Sequence, residues 1–107
     1  MKYRKKPVVI EAFQMTEQRH FSNEDWPKWL HEAWQKDSSV AGALYINKET
    51  LPTRDYYIHT LEGEHYVSLN DFIIQGVQGE LYPCKPDIFK ATYEAITVKD
   101  FDEVYND

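Results

Sequence analysis

Apolar and polar residues alternate with a period of two in several short stretches of the chain, as is typical of β-strands. The first stretch, residues 7–14, is rich in β-branched and aromatic side chains and predicts the first strand. Its alternation places Glu11 on the same face as Val9 and Phe13. If both faces of this strand are covered, Glu11 is buried and needs a basic partner.

The rest of the chain contains further short stretches of this kind, separated by turn residues. They predict strands at residues 43–47, 54–60, 64–69, 72–77, 80–82 and 92–98. Gly63 closes a hairpin after residue 60, and Gly79 allows a tight reversal before residue 80. Pro83 and Pro86 have no N–H to donate to a ladder, so we expect them to end the pairing, with a short helix near residues 86–91.

A helical period replaces the alternation between the first two predicted strands. Trp26, Leu30, Ala33 and Trp34 lie at i, i+4, i+7 and i+8 and form one apolar stripe on a helix. The capping residues at 22–25 and a proline suited to the first turn predict that this helix covers about residues 23–36. Its stripe needs an apolar surface, which the predicted sheet provides.

Together these elements predict an α+β fold. We expect an antiparallel sheet or half-open barrel of about five to seven short strands, with the amphipathic helix packed on it and the short helix near 86–91. The length of 107 residues fits a single domain, 1–107. Residues 99–107 are acidic and predict a tail or a frayed helix.

Charge and apolar content narrow the possible partners. The chain has 18 Asp and Glu against 12 Lys and Arg, a net charge of −6. Because lysine and arginine drive binding to phosphates, we expect no direct binding to nucleic acid. No apolar stretch is long enough for a membrane span or a signal peptide, and the single cysteine excludes an internal disulfide. These observations predict a cytoplasmic protein that does not associate with membranes.

Few residues have the arrangement that catalysis requires. Cys84 lies beside Lys85 and before a predicted helix start, an environment that can activate a thiol. A nucleophilic cysteine also needs a base, and no spacing places His59 or His65 next to it. The two histidines flank a predicted hairpin turn, where they can face each other as a surface pair. We expect no catalytic residue, no metal site and no cofactor.

Aromatic residues are the one conspicuous excess, with three Trp, eight Tyr and five Phe. Five tyrosines lie on the predicted strands: Tyr45, Tyr56, Tyr57, Tyr66 and Tyr82. Alternation places some of them on the outer face of the sheet, as a stacking platform for a nucleotide or an anchor patch for a protein. The other interpretation is that they fill a small core. The residues predicted to bind a ligand or partner are Arg54, Tyr56, Tyr57, Tyr82, Lys85, Trp26 and Trp29.

Two segments of the chain carry a family resemblance. Residues 4–14 read RKKPVVIEAFQ, and residues 71–94 read DFIIQGVQGELYPCKPDIFKATYE. Both resemble a widespread family of small phage and prophage proteins. Members of that family usually have Pro-Gly-Asp before the second segment, where this chain has Leu69, Asn70 and Asp71; asparagine also tolerates a left-handed turn. The resemblance implies a phage or prophage origin and a bacterial cytoplasm, and it transfers no catalytic residues.

The resulting hypothesis is a non-enzymatic binding protein that acts on a host molecule, with counter-defence as one such role. One target is a host protein, met by an acidic surface and exposed aromatics. The other is a small nucleotide-like ligand held between aromatic rings, with Arg54, Lys85 or the basic N-terminus near its phosphates. A subunit interface suits such a ligand, so we expect a homo-oligomer. The alternatives are a virion or assembly component and a small Cys-dependent enzyme.

Overall fold

Two antiparallel three-stranded sheets and three α-helices form the fold in the computed structural model, which describes residues 1–4 and 6–96. Sheet A has the order β1-β5-β6, with strands Glu11–Gln14 (β1), Phe72–Gln75 (β5) and Leu81–Cys84 (β6). Sheet B has the order β2-β3-β4, with strands Leu44–Ile46 (β2), Tyr56–Thr60 (β3) and Gly63–Val67 (β4). The helices are Glu17–Ser22 (α1), Lys28–Trp34 (α2) and Pro86–Thr92 (α3), and a 3-10 turn at Lys48–Thr50 follows β2. The α+β prediction is confirmed, and the sheets do not close into a barrel.

The core is shared by the inner faces of both sheets and by α2. Its buried side chains are Phe13, Ile73 and Leu81 from sheet A, Leu44, Tyr56, Ile58 and Val67 from sheet B, Leu30 and Ala33 from α2, and Met15 and Trp26 from the connections. Trp26 is fixed there because its indole N–H donates a 2.9 Å hydrogen bond to the carbonyl of Arg19. Edge-to-face contact with Tyr56, at 5.7 Å between ring centroids, joins Trp26 to sheet B.

The helical region differs from the prediction in its bounds. The chain forms α1 and then, after a loop, the shorter α2, instead of one helix over about 23–36. The apolar stripe is confirmed for Leu30, Ala33 and Trp34, whereas Trp26 is buried in the core from the loop that precedes α2. Asn23 explains the difference: its φ of 59° ends α1 in the left-handed conformation that asparagine tolerates.

Three strand predictions also need correction. The first strand begins at Glu11 instead of residue 7, and Glu11 is exposed, so it needs no buried basic partner. Pro83 lies within β6, which tolerates it because β6 is an edge strand of sheet A. Residues 93–96 form no strand. The rest of the predicted last strand and the acidic tail at 99–107 lie outside the described residues.

Candidate functional site

A line of three tyrosines crosses the outer face of sheet B. Tyr45 on β2 pairs with Tyr57 on β3, and Tyr57 pairs with Tyr66 on β4. The ring centroids of Tyr45 and Tyr57 are 6.0 Å apart and stacked at 21°, and those of Tyr57 and Tyr66 are 5.4 Å apart and tilted at 52°. We call Tyr45, Tyr57 and Tyr66 the tyrosine row.

The row follows from strand alternation and from the register of the hairpin. Tyr56 and Ile58 point into the core from β3, so Tyr57 between them points outward. Gly63, with a φ of 118°, pairs with Thr60 at the turn and sets the register that places Tyr66 opposite Tyr57. Tyr66 remains 49% exposed, so the row presents aromatic surface to solvent.

Carboxylates hold the hydroxyls at both ends of the row. The Tyr45 hydroxyl donates a hydrogen bond to Glu64 Oε2, and the Tyr66 hydroxyl donates to Asp55 Oδ1 at 3.4 Å. Burial and the Glu64 carboxylate raise the pKa of Tyr45, and burial and the Asp55 carboxylate raise that of Tyr66. Both phenols are therefore neutral donors at physiological pH, with their rings held in place by these bonds.

A cleft of about 770 Å³ runs beside the row along β2. Its walls include Tyr45 and Tyr57 from the row, Trp34 at the end of α2, and two lysines, Lys36 and Lys48. In the described part of the chain β2 pairs with β3 alone, which makes it an edge strand of sheet B, and all three of its residues line the cleft. The cleft extends the aromatic surface around the edge of sheet B.

Of the predicted binding residues, only Tyr57 belongs to the row. The structure buries Tyr56 (1% exposed) and Trp26 (6% exposed) in the core, which removes both from any surface platform. Strand alternation explains the burial of Tyr56, because Tyr56 shares a face of β3 with Ile58, which is fully buried. Trp29 packs partly buried against the core and, with Glu11, lines another cleft whose walls include no residue of the row.

The two predicted basic residues lie at separate places. Arg54 is exposed, precedes β3 in a left-handed conformation with a φ of 54°, and lies close enough to Tyr56 to affect the pKa of that buried phenol. Lys85 Nζ lies 3.4 Å from Asp71 Oδ2 and 2.8 Å from Ser68 Oγ. The Lys85 ammonium is thus held by a structural contact.

Tyr82 lies on the outer face of sheet A, which α3 covers. Phe89 of α3 stacks on Phe72 with 3.8 Å between ring centroids, and Phe89 also stacks on Tyr93. Burial and a hydrogen bond with Tyr93 raise the pKa of Tyr82 to about 12. Within one chain, the residues predicted to bind a nucleotide-like ligand therefore lie on two different sheets and in the core.

The residues considered for catalysis are also dispersed. Burial, with the Asp71 and Asp87 carboxylates, raises the pKa of the Cys84 thiol, the opposite of activation. His59 pairs with Glu64 and His65 pairs with Ile58, so the two histidines are on opposite faces of sheet B and do not face each other as expected. In the part of the chain that the structure describes, no three His, Cys, Asp or Glu side chains are grouped as metal ligands.

Sequence reasoning did not place Tyr45 and Tyr66 among the binding residues. In the sequence, the two-residue turn before Gly63 indicates the hairpin register in which Tyr66 lies opposite Tyr57.

No protein-family model, curated protein or solved structure matches the chain in comparisons with known proteins. Within residues 1–4 and 6–96, the helices are too short and too polar to cross a membrane.

Proposed function

We propose that the protein is a small non-enzymatic binding module that engages a host protein through the tyrosine row. The observation that carries this proposal is the alignment of Tyr45, Tyr57 and Tyr66 across three paired strands, with the row exposed at Tyr66. Tyrosine is enriched in the energetically dominant centres of protein interfaces because it combines a large apolar ring with a polar hydroxyl.

The row is organised before any partner arrives. The outer hydroxyls are bonded to Glu64 and Asp55, and the rings are in contact with one another. A side chain that is already ordered loses little conformational entropy on binding, so more of the contact energy appears as affinity. This supports the row as a binding surface instead of a set of independent surface tyrosines.

A protein target fits this surface better than the nucleotide-like ligand. Arg54 and Lys85, the residues expected near its phosphates, are not part of the row, and Lys85 is bonded to Asp71. The carboxylates of Glu64 and Asp55 bond the two ends of the row and repel phosphate, whereas Lys36 and Lys48 lie in the cleft beside Tyr45 and Tyr57. The raised pKa of Cys84 likewise weighs against the Cys-dependent enzyme.

The proposal includes the origin and setting that the family resemblance implies. The protein acts in the cytoplasm of a bacterium that carries the phage or prophage, as a homo-oligomer, with counter-defence as a role. Size-exclusion chromatography with light scattering measures the oligomeric state directly. Detection of the chain in purified phage particles would instead favour a virion or assembly component.

The deciding experiment is affinity capture from bacterial lysate with row variants. Tyr66→Ser and Tyr57→Ser remove row side chains, and Tyr3→Ser removes a tyrosine that is 88% exposed in the N-terminal segment and serves as the matched control. We expect one host protein to bind the wild type and Tyr3→Ser equally, and each row variant about tenfold more weakly.

Two readouts complete this experiment. Thermal melting checks that each variant is folded, and Tyr66→Ser is the safer variant because Tyr66 is half exposed. Equal capture by folded row variants and wild type would remove the proposal. Native mass spectrometry of the gently purified protein addresses the alternative, because a stoichiometric small molecule would favour the nucleotide-like ligand.

A further inference from the structure

The charged groups next to the tyrosine row are the two carboxylates that bond its hydroxyls, Glu64 and Asp55, and the groups in the cleft along β2, which include Lys36 and Lys48. The charged groups that act on the phenols at its two ends are Glu64 at Tyr45, and Asp55 and Asp71 at Tyr66. Asp71 is neutralised by Lys85, at 3.4 Å. In the described part of the chain the ion pairs are Lys28–Glu32 and Lys85–Asp71, so neither Glu64 nor Asp55 has a basic partner there.

Aromatic rings that lie next to carboxylates favour a positively charged ligand. The face of an aromatic ring is the negative part of its quadrupole and attracts a cation within about 6 Å of the centroid. A phenol that donates to a carboxylate gains electron density in its ring, which increases the attraction. The carboxylate at each end of the row adds ordinary charge attraction.

We infer that the row receives an arginine or lysine side chain from a basic segment of the partner protein, an inference that rests on the proposed function. Tyr57, in the middle of the row, supplies the central ring, and Glu64 supplies the nearest carboxylate to Tyr45. The complementary charge of the partner is positive, which agrees with the net charge of −6 of this chain.

The position of the lysines defines where the cation enters. Lys36 and Lys48 line the cleft along the edge of β2, on the Tyr45 side of the row. Glu49 and Glu64 line the same cleft, so the charges there offset one another. The basic side chain meets the least opposing charge on the β4 side, over Tyr57 and the half-exposed Tyr66. Arginine suits this geometry best, because a planar guanidinium can stack on one ring while it bonds a carboxylate.

The test uses two peptides that differ only in charge, hexa-arginine and hexa-citrulline, titrated into the whole protein and followed by calorimetry and by the NMR signals of the tyrosine rings. We expect hexa-arginine to bind and to shift the ring signals of Tyr57 and Tyr66, and hexa-citrulline to do neither. Tyr57→Leu is expected to weaken hexa-arginine binding about fivefold, whereas Tyr57→Phe, which keeps a ring, retains most of it.

The charge control is matched within sheet B. Glu64→Gln and Glu62→Gln remove the same charge, but Glu62 is an exposed residue of the hairpin turn and Glu64 bonds the row. The inference requires that Glu64→Gln weaken hexa-arginine binding several-fold more than Glu62→Gln. Equal effects of the two, together with a wild-type affinity in Tyr57→Leu, would show attraction to net charge alone and overturn it.

The two proposals fail in different ways. If the row variants lose the host protein while hexa-arginine binding ignores Tyr57 and Glu64, the row binds a protein by another chemistry and the cation inference is wrong. If capture of the host protein ignores Tyr57 and Tyr66, the proposed function itself is wrong, whatever the peptides do.

Discussion

The hydroxyl of Tyr56 donates a 3.0 Å hydrogen bond to the main-chain carbonyl of His20. This bond joins β3 to α1 across the core, and the two rings also meet edge to face with 4.8 Å between their centroids. Tyr56 is therefore a structural residue, although its neighbour Tyr57 lies in the proposed binding surface.

Tyr56→Phe keeps the ring and removes only this hydrogen bond. We expect it to lower the free energy of unfolding by about 1 kcal/mol, because the buried carbonyl of His20 loses its donor. Urea unfolding measures the change, and Tyr3→Phe in the exposed N-terminal segment is the control. Binding of the host protein should be unchanged. A variant as stable as the wild type would mean that the bond is replaced by solvent.

His20 should make the protein less stable in mild acid. Its side chain is 5% exposed, and burial lowers its pKa below the ordinary value of 6.5. The backbone of Arg54 and the Asp55 carboxylate oppose this with smaller effects, and the charge of Arg54 adds slightly to the lowering. As pH falls through 6.5 the unfolded chain gains a proton that the folded chain does not bind, so stability decreases until the lowered pKa is reached. Above pH 6.5 the contribution of His20 to the free energy of unfolding does not change with pH.

Urea unfolding at a series of pH values between 8 and 5 measures the effect of His20. The His20→Gln variant cannot titrate there, so its stability should change less with pH than that of the wild type. His31→Gln changes an exposed histidine and serves as the control. Parallel pH profiles for the wild type and His20→Gln would contradict the prediction.

Cys84 should react slowly with alkylating reagents. Burial, and then the carboxylates of Asp71 and Asp87, raise the pKa of its thiol, so less thiolate is present at neutral pH than in a free cysteine. We expect iodoacetamide to modify Cys84 more slowly than glutathione, and Asp87→Asn to increase the rate. Unfolding in urea gives the reference rate of the same thiol. A native rate above that reference would revive the Cys-dependent alternative.

Lys85 should contribute to stability instead of ligand binding. Lys85→Met leaves the Asp71 carboxylate, 2% exposed, with the N–H of Ser68, at 2.8 Å, as its remaining donor among the residues that the structure describes. Loss of a charged hydrogen-bond partner should cost about 1 to 2 kcal/mol of unfolding free energy. Lys90→Met, on the exposed side of α3, is the matched control in thermal and urea unfolding. Equal stability of both variants would argue against the prediction.

The sheet B hairpin could be predicted from the sequence because its determinants are local. Alternation marks β3 and β4, and Gly63 adopts the backbone conformation that the turn requires. The pairing of β2 with β3 could not be predicted from the sequence, because residues 47–55 between the two strands contain no short turn that sets a register. Without that register, Tyr45 cannot be assigned to the tyrosine row.

The helix bounds show a different limit of sequence reasoning. Asn23 suits the start of a helix and also the left-handed residue at the end of one, and only the packing of Trp26 against Arg19 and the core decides between them. Arg54 and Lys85 show the same limit for the site. Their charges are visible in the sequence, but the contacts that they make depend on the tertiary structure.

The two sheets differ in how far apart along the chain their strands lie, and this predicts an order of folding. Sheet B joins consecutive strands, whereas sheet A must bring β1 to β5, with Gln14 opposite Phe72. Since closing a long loop costs entropy before any contact offsets it, we expect sheet B to form first, which pulsed hydrogen exchange can measure on the amides of Ile58 and Ile73. Until β1 arrives, one edge of the apolar strand β5 is open to pairing with another chain. Docking of β1 therefore completes the core and, in the same step, protects the folding chain from aggregation.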